Sequence, residues 1–199
     1  MPTHIVDMSV VLWAAGVAGV AAGLYLLARA VNKRDLCDLC FGIGLLVLGA
    51  LSLVLGVVGY GALQLPIAPA LGAIPPLVLS LGVVAAVLPR YWKWYAVFVV
   101  VGVVVVSAFR PAVMVFHPVA GLVLFLLPIY GVLKRVVSAP YLLVSAGALL
   151  IGVGGVALAT IAAGRPLLPL DVVLNILPAV LLGTTVFMAA GALLGKRRA

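Results

Sequence analysis

Long apolar runs separated by short charged islands dominate the sequence. The runs are about 17 to 24 residues long, and a helix needs roughly 20 apolar residues to cross the roughly 30 Å hydrocarbon core of a membrane. Strands of a membrane barrel would instead alternate apolar and polar positions over about ten residues. The pattern therefore predicts an all-α fold, a polytopic integral membrane helical bundle.

The runs predict seven transmembrane helices in a single domain that covers residues 1–199. The predicted spans are Ser9–Ala30, Phe41–Leu63, Ala73–Pro89, Trp92–Phe109, Ala112–Leu133, Pro140–Ala163 and Val172–Gly195. Turns are predicted at Pro89–Trp94 and Arg110–Pro111, because each combines a proline with a charge, which a helix interior in lipid tolerates poorly. The first run is too long for a signal peptide and lacks a basic flank, so we expect a retained first span.

The composition is typical of a membrane protein and not of a water-soluble one. Hydrophobic residues make up 67% of the chain and charged residues 8%, whereas about 25% of a typical soluble domain is charged. A net charge of +8 can indicate a nucleic-acid partner, but here the basic residues lie at the predicted span ends, where they face lipid headgroups. We therefore predict the lipid bilayer as a partner and no nucleic acid.

The basic residues are distributed unequally between the two sides of the predicted bundle. One side receives Arg29, Lys33, Arg34, Arg90, Lys93, Lys134, Arg135, Lys196, Arg197 and Arg198, and the other receives Arg110 and Arg165. Short loops that carry an excess of lysine and arginine usually face the cytoplasm. The distribution predicts a multi-pass protein of the cell membrane with its N-terminus outside and its C-terminus in the cytoplasm.

Cys37 and Cys40 are the two cysteines of the chain, and their C-x-x-C spacing opens the second predicted span. At a helix start this spacing brings both sulfurs within bonding distance, and the helix N-terminus favours a thiolate. Asp35 and Asp38 oppose a thiolate and are interpreted as offsetting the basic residues just before them. A catalytic dithiol, a structural or incidental pair, and a metal site that would need two more ligands all stay open.

A C-x-x-C that opens the second span resembles the membrane thiol oxidases, which pass electrons from a thioredoxin-like partner to a quinone. The resemblance implies that Cys37 forms a mixed disulfide with a cysteine of a dithiol partner, that Cys40 is the resolving cysteine, and that a quinone binds near the first two spans. It is confined to the segment around the cysteines. Those families have a four-helix core and usually an outward-facing C-x-x-C, and many members have a second cysteine pair that this chain lacks.

Two histidines and two methionines lie at the outer ends of the predicted spans. His4 and Met8 are four residues apart and Met114 and His117 are three apart, so each pair shares a helix face if the helix extends that far. Imidazole and thioether ligands suit Cu(I) or, as an axial pair, haem. The four residues are a candidate metal site, with simple packing or hydrogen bonding as the alternative.

Prolines and polar side chains coincide in the fifth and seventh predicted spans. Pro118, Pro128 and Pro178 are expected to kink these helices and to free backbone carbonyls. Kinked helices with polar side chains often line cavities. We therefore predict a substrate-binding cavity whose polar residues are His117, Asn175, Thr184 and Thr185.

Glycine pairs in the first and last predicted spans have the spacing that allows close helix contact. They are Gly19–Gly23 and Gly191–Gly195. Such spacings also arise by chance in a chain with 22 glycines. We assign them no function.

Several mechanisms are disfavoured because the residues they need are missing. The sequence contains no glutamate and no acidic residue in the middle of a predicted span, which disfavours ion coupling through a buried carboxylate. A retinal Schiff base would need a central lysine in the seventh span. The motifs of zinc hydrolases, serine hydrolases and phosphate-binding loops do not occur.

These patterns predict a transporter- or channel-like protein that binds or passes a small neutral or apolar solute, or a lipid. The first alternative is a membrane thiol–disulfide oxidoreductase that uses Cys37 and Cys40 with a quinone and a thioredoxin-like protein. The second is a non-catalytic accessory subunit that binds other membrane subunits.

Overall fold

The computed structural model describes residues 8–65, 67–162 and 165–195. These residues form seven α-helices and three short 3₁₀ turns, without a β-strand, and so confirm the all-α prediction. The α-helices are α1 Met8–Lys33, α2 Leu36–Val58, α3 Ala68–Val87, α4 Trp92–Ala108, α5 Val113–Leu133, α6 Leu142–Ala162 and α7 Leu170–Leu194. The 3₁₀ turns are Tyr60–Gln64, Arg110–Ala112 and Ala139–Tyr141.

Helices α1, α2, α5, α6 and α7 are long and apolar enough to cross a membrane. The apolar stretches of α3 and α4 are shorter and cover Leu71–Val87 and Trp92–Ala108. Length and composition are thus those of a multi-pass membrane protein, as predicted. The expected prolines also lie inside helices, Pro118 and Pro128 in α5 and Pro178 in α7.

The boundaries of α2 differ most clearly from the predicted ones. The helix begins at Leu36 instead of Phe41 because the Asp35 side chain accepts a hydrogen bond from the Cys37 N–H at 2.8 Å and caps the first turn. It ends at Val58 because Gly59 adopts a φ of 75°, a conformation that glycine tolerates and that stops the helix. Both cysteines therefore lie within the first two turns of α2.

Helix α1 packs along α2 in the most extensive helix contact of the bundle, followed by the contacts between α6 and α7 and between α2 and α3. A Cβ atom at Gly19 would lie 2.7 Å from the Gly49 Cα, so the two backbones approach closely at this point, as the Gly19–Gly23 spacing allows. Helix α7 also packs against α1, and α5 packs against α3 and α6. Helix α4 lies at the edge, against α3 and only slightly against α5.

Side-chain clusters distinguish the two ends of the bundle. At one end, called here the cysteine end, the last turns of α1, α3, α5 and α7 meet the first turns of α2 and α6. Its core consists of Leu26, Cys37, Phe41, Leu45, Leu79, Val83, Ala86, Val87, Leu124, Val137, Tyr141, Val144, Ala148 and Met188. The other end, called here the cavity end, holds a smaller cluster of Leu12, Ala15, Leu48, Leu55, Ala62, Leu177 and Leu181.

Candidate functional site

A cavity of about 300 Å³ extends from the cavity end towards the middle of the bundle. It lies between α2, α3, α5, α6 and α7 and reaches the turn that follows α2. Apolar side chains form most of its wall, among them Leu48, Leu55, Pro75, Leu177 and Leu181. The volume lies at the lower limit of ligand pockets, which usually measure about 300–1,000 Å³.

Three polar side chains interrupt the apolar wall of the cavity: Ser52, His117 and Thr184. The Ser52 hydroxyl donates to the Leu48 carbonyl at 2.9 Å, and the Thr184 hydroxyl lies 3.4 Å from the Gly147 carbonyl, to which it donates. The half-buried His117 imidazole has no hydrogen-bond partner within the part of the chain that the structure describes. The imidazole is therefore the polar group of the wall best placed to bind a ligand.

The inner wall of the cavity is also part of the core of the cysteine end. Leu79, Leu124 and Met188 line the cavity and belong to that core, and each is at most 2% exposed. Beyond these three side chains lie the other buried side chains of that core. The cavity is thus closed towards the cysteine end.

The structure brings two of the four predicted substrate-binding residues to one cavity, namely His117 and Thr184. Thr185 is fully buried but does not line the cavity, and its hydroxyl finds no hydrogen-bond partner among the described residues. Asn175 is exposed on α7, since the buried Val173 and Leu177 occupy the inward face of that helix turn. Substrate binding by the four residues stays a prediction.

The predicted metal-binding residues lie in different environments. Met114 is 74% exposed on α5, whereas His117 on the next turn lines the cavity. Met8 begins α1, and His4 lies outside the described residues. Within the described ranges no group of three or more histidine, cysteine or acidic residues could hold a metal ion. A copper or haem site stays a prediction.

Both cysteines are buried inside the cysteine end. Cys37 and Cys40 are 9% and 3% exposed and are not joined by a disulfide. The Cys37 Sγ lies 3.8 Å from the Oη of Tyr141, which directly precedes α6, and Phe41 packs on the same tyrosine ring with 6.3 Å between ring centroids. Reactive cysteines usually lie in partly exposed sites, so this burial does not favour exchange with a soluble partner. The thiol oxidoreductase stays a prediction.

A partly buried ion pair at the cysteine end was not predicted from the sequence. The Arg29 guanidinium donates two hydrogen bonds of 2.5 Å to the Asp38 carboxylate and a third, of 3.0 Å, to the Ala192 carbonyl. One side chain therefore links α1, α2 and α7. The interpretation that Asp38 offsets Lys33 or Arg34 is wrong, because Arg29 is its partner.

A signal for this pair was present in the sequence. Arg29 lies inside an apolar run, and a charge in such a position requires a partner within the bundle. Asp38 is the acidic residue nearest to it that falls within the next helix. Asp35, its neighbour, serves instead as the cap of α2.

Comparison with known proteins finds no match to this chain among protein-family models, curated proteins or solved structures.

The chemistry of the cavity itself indicates which ligands it suits. Among the described lining residues there is no aspartate, glutamate, lysine or arginine. An ion would lose its hydration in this cavity without gaining an opposite charge, whereas a mainly apolar molecule would lose little.

Proposed function

We propose that this protein binds a small, neutral and mainly apolar molecule inside a multi-pass helical bundle. The observation that carries the proposal is the cavity wall, which offers apolar side chains, two hydroxyls bound to backbone carbonyls, and the imidazole of His117. Apolar burial holds such a ligand, and one hydrogen bond to the imidazole orients it. A volume of about 300 Å³ suits a small molecule better than a whole lipid.

The proposed orientation puts the N-terminus outside, the cysteine end in the cytoplasm, and seven helices across the membrane. It is supported by the described basic residues of the cysteine end, which are Arg29, Lys33, Arg34, Arg90, Lys93, Lys134 and Arg135. At the cavity end the described basic residues are Arg110, in the turn before α5, and Arg165, in the loop before α7. In this orientation the cavity opens towards the outside.

Labelling with a maleimide that does not cross membranes tests the orientation. On a background of Cys37→Ser and Cys40→Ser, we expect Arg165→Cys to react in intact cells. Lys33→Cys is expected to react only in inverted vesicles. The reverse pattern would contradict the proposed orientation and leave the ligand proposal to be judged separately.

Passage across the membrane would require a second state of the bundle. The side chains of Leu79, Leu124 and Met188 would have to separate, because they close the cavity towards the cysteine end. One turn beyond Met188 on α7, the Ala192 carbonyl accepts the hydrogen bond from Arg29. We infer that the Arg29–Asp38 pair holds the cysteine end closed while the cavity is open to the other side.

Filling the cavity tests the ligand proposal directly. Gly155 lines the cavity, and a Cβ atom built there meets no atom within 4 Å, so Gly155→Leu extends a side chain into open space. Gly152, also on α6, has equally open surroundings but does not line the cavity, so Gly152→Leu is the matched control. Both variants add the same apolar volume to the same helix.

The measurement is the thermal unfolding midpoint of the purified protein with a panel of small neutral molecules, from benzene and indole to short-chain alcohols. We expect at least one molecule to raise the midpoint of the parent protein and of Gly152→Leu but not of Gly155→Leu. Flux of that molecule into liposomes then separates transport from binding alone. Equal shifts in the two variants, or no shift with any molecule, would contradict the proposal.

A further inference from the structure

We propose that an open groove between α4 and α5 at the cysteine end binds one anionic phospholipid, with an acyl chain in the groove and the headgroup at its basic rim. This groove, called here the α4–α5 groove, has a volume of about 640 Å³. Its walls include Leu88, Tyr91, Trp94, Phe98, Leu126 and Tyr130. It shares no lining residue with the cavity, and the proposal does not depend on the proposed ligand.

The groove exists because α4 and α5 approach each other mainly in one region. There the rings of Phe98 and Phe116 lie 5.1 Å apart between centroids, and Phe116 fills the space beside Gly102. Elsewhere α4 rests on α3 and contacts α5 only slightly. Towards the cysteine end the two helices leave a trough between them, with the buried Val84 of α3 at its base.

The shape and exposure of the α4–α5 groove fit an acyl chain. Trp94 and Leu126 in its walls are 79% and 54% exposed, so the groove opens to the surroundings of the bundle, which are lipid for a membrane-spanning helix. Along α5 the lining extends from Leu122 to Tyr130, which is about 12 Å at 1.5 Å per residue. This length is close to the roughly 15 Å of hydrocarbon in one leaflet.

Basic side chains stand at the end of the groove where a headgroup would lie. The ammonium of Lys134 is 6.0 Å from the ring centroid of Tyr130, a wall residue, so a cation–π contact holds the charge at the rim. Across the groove the exposed Arg90 lies, along the chain, between two further lining residues, Leu88 and Tyr91. An anion placed at this end of the groove would meet positive charge from both sides.

The acidic residues that the structure describes do not neutralise this rim. Asp38 is bound by Arg29, Asp35 caps α2, and Asp171 lies in the first turn of α7 at the cavity end, while Asp7 lies outside the described residues. Anionic lipids supply the missing charge, and each basic residue near an anionic surface strengthens the attraction. A second copy of the chain would bring the same basic rim against itself, which disfavours it as the occupant.

Quenching of tryptophan fluorescence by brominated lipids tests the proposal. With Trp13→Phe and Trp92→Phe, Trp94 in the groove wall is the remaining tryptophan of the chain. The protein is placed in phosphatidylcholine nanodiscs that contain a rising fraction of dibrominated phosphatidylglycerol or, separately, dibrominated phosphatidylcholine. We expect dibrominated phosphatidylglycerol to give the same quenching at a fraction about tenfold lower than dibrominated phosphatidylcholine, since two basic residues attract it to the groove.

Two charge-neutralised variants locate the effect. Arg90→Gln combined with Lys134→Gln is expected to remove the preference for phosphatidylglycerol. Lys33→Gln combined with Arg34→Gln, which removes the same charge at the same end but next to α1, is expected to keep it. Equal quenching by both lipids in the parent, or an equal loss in both variants, would overturn the proposal. A further outcome would also overturn the proposal. If quenching by both lipids decreases as the protein-to-lipid ratio rises, the groove is covered by another copy of the protein and not by a lipid.

Discussion

At the cysteine end the Arg29 side chain joins α1 to Asp38 of α2 and to the backbone of α7, and apolar side chains fill the space around it. At the cavity end a hydrogen bond of 2.6 Å from the Tyr60 hydroxyl to the Leu174 carbonyl connects the 3₁₀ turn after α2 with α7, and about 300 Å³ between the helices is left unfilled. The comparison separates two requirements. A closed end gains from dense packing and charge pairing, whereas a ligand site needs apolar walls and free volume.

Two glycines on α6 and α7 illustrate the difference between filled and unfilled space. A Cβ atom at Gly191, at the cysteine end, would lie 2.9 Å from the Val144 backbone nitrogen. A Cβ atom at Gly155, near the other end of α6, would meet nothing within 4 Å. Gly191 therefore lies at a close contact of the two helices, whereas Gly155 faces open space, although a Cβ atom at the neighbouring Gly154 would lie 3.3 Å from the Val180 Cγ1 of α7.

The largest effect is expected from Asp38→Ala at the cysteine end. The substitution leaves the Arg29 guanidinium, whose side chain is 18% exposed, without its carboxylate. We expect the free energy of unfolding to fall by about 3 kcal/mol, because an unpaired charge remains inside the bundle. Thermal unfolding in detergent measures this loss, and faster maleimide labelling of Cys37 and Cys40 would report the opening of the same end.

A double variant distinguishes the cost of an unpaired arginine from the stabilisation that the ion pair itself provides. Arg29→Met combined with Asp38→Leu removes both charges and keeps similar volumes, so it is expected to be closer to the parent in stability than Asp38→Ala. If the double variant loses as much stability as Asp38→Ala, the ion pair itself stabilises the closed end. The loss in Asp38→Ala is then not explained by an unpaired arginine.

Gly191→Ala is expected to have the next largest effect. Its Cβ atom would lie 2.6 Å from the Val144 Cγ2 as well as close to the Val144 nitrogen, so α6 and α7 would have to move apart, at a cost of about 2 kcal/mol. Gly155→Ala is the matched variant at the open position and should leave stability unchanged or raise it by up to about 1 kcal/mol. Equal unfolding midpoints for the two variants would remove the proposed difference between the ends.

The smallest effect is expected from Tyr60→Phe at the cavity end, which removes the hydrogen bond to Leu174 and about 1 kcal/mol of stability. Burial raises the pKa of the Tyr60 hydroxyl above its ordinary value of about 10. Because the pKa is raised in the folded state, the contribution of the Tyr60 hydroxyl to stability is present below about pH 10 and is lost as the pH rises further. Unfolding midpoints of parent and variant should therefore converge in alkaline solution, and a constant difference would contradict the assignment.

Much of the fold could be predicted because lipid imposes a simple rule on the chain. Apolar runs of spanning length have to become helices, and charges have to stay at their ends, so the seven helices of the described residues coincide with the predicted runs. The boundaries of α2 were missed by about five residues, because they depend on the Asp35 cap and on the conformation of Gly59. His117 and Thr184, two polar residues inside apolar runs, both line the cavity, and their role in substrate binding stays a prediction.

The sequence by itself determined the helices, their apolar surfaces and the uneven distribution of basic residues. Only the tertiary structure decided that Arg29 binds Asp38 and the distant Ala192, that Tyr141 covers Cys37, and that Asn175 faces away from the cavity. The physical reason is that a helix surface accepts leucine and valine equally well whether it faces lipid or another helix. The apolar pattern therefore carries no information about the rotation of each helix or the choice of its neighbours, and these two properties create both the cavity and the α4–α5 groove.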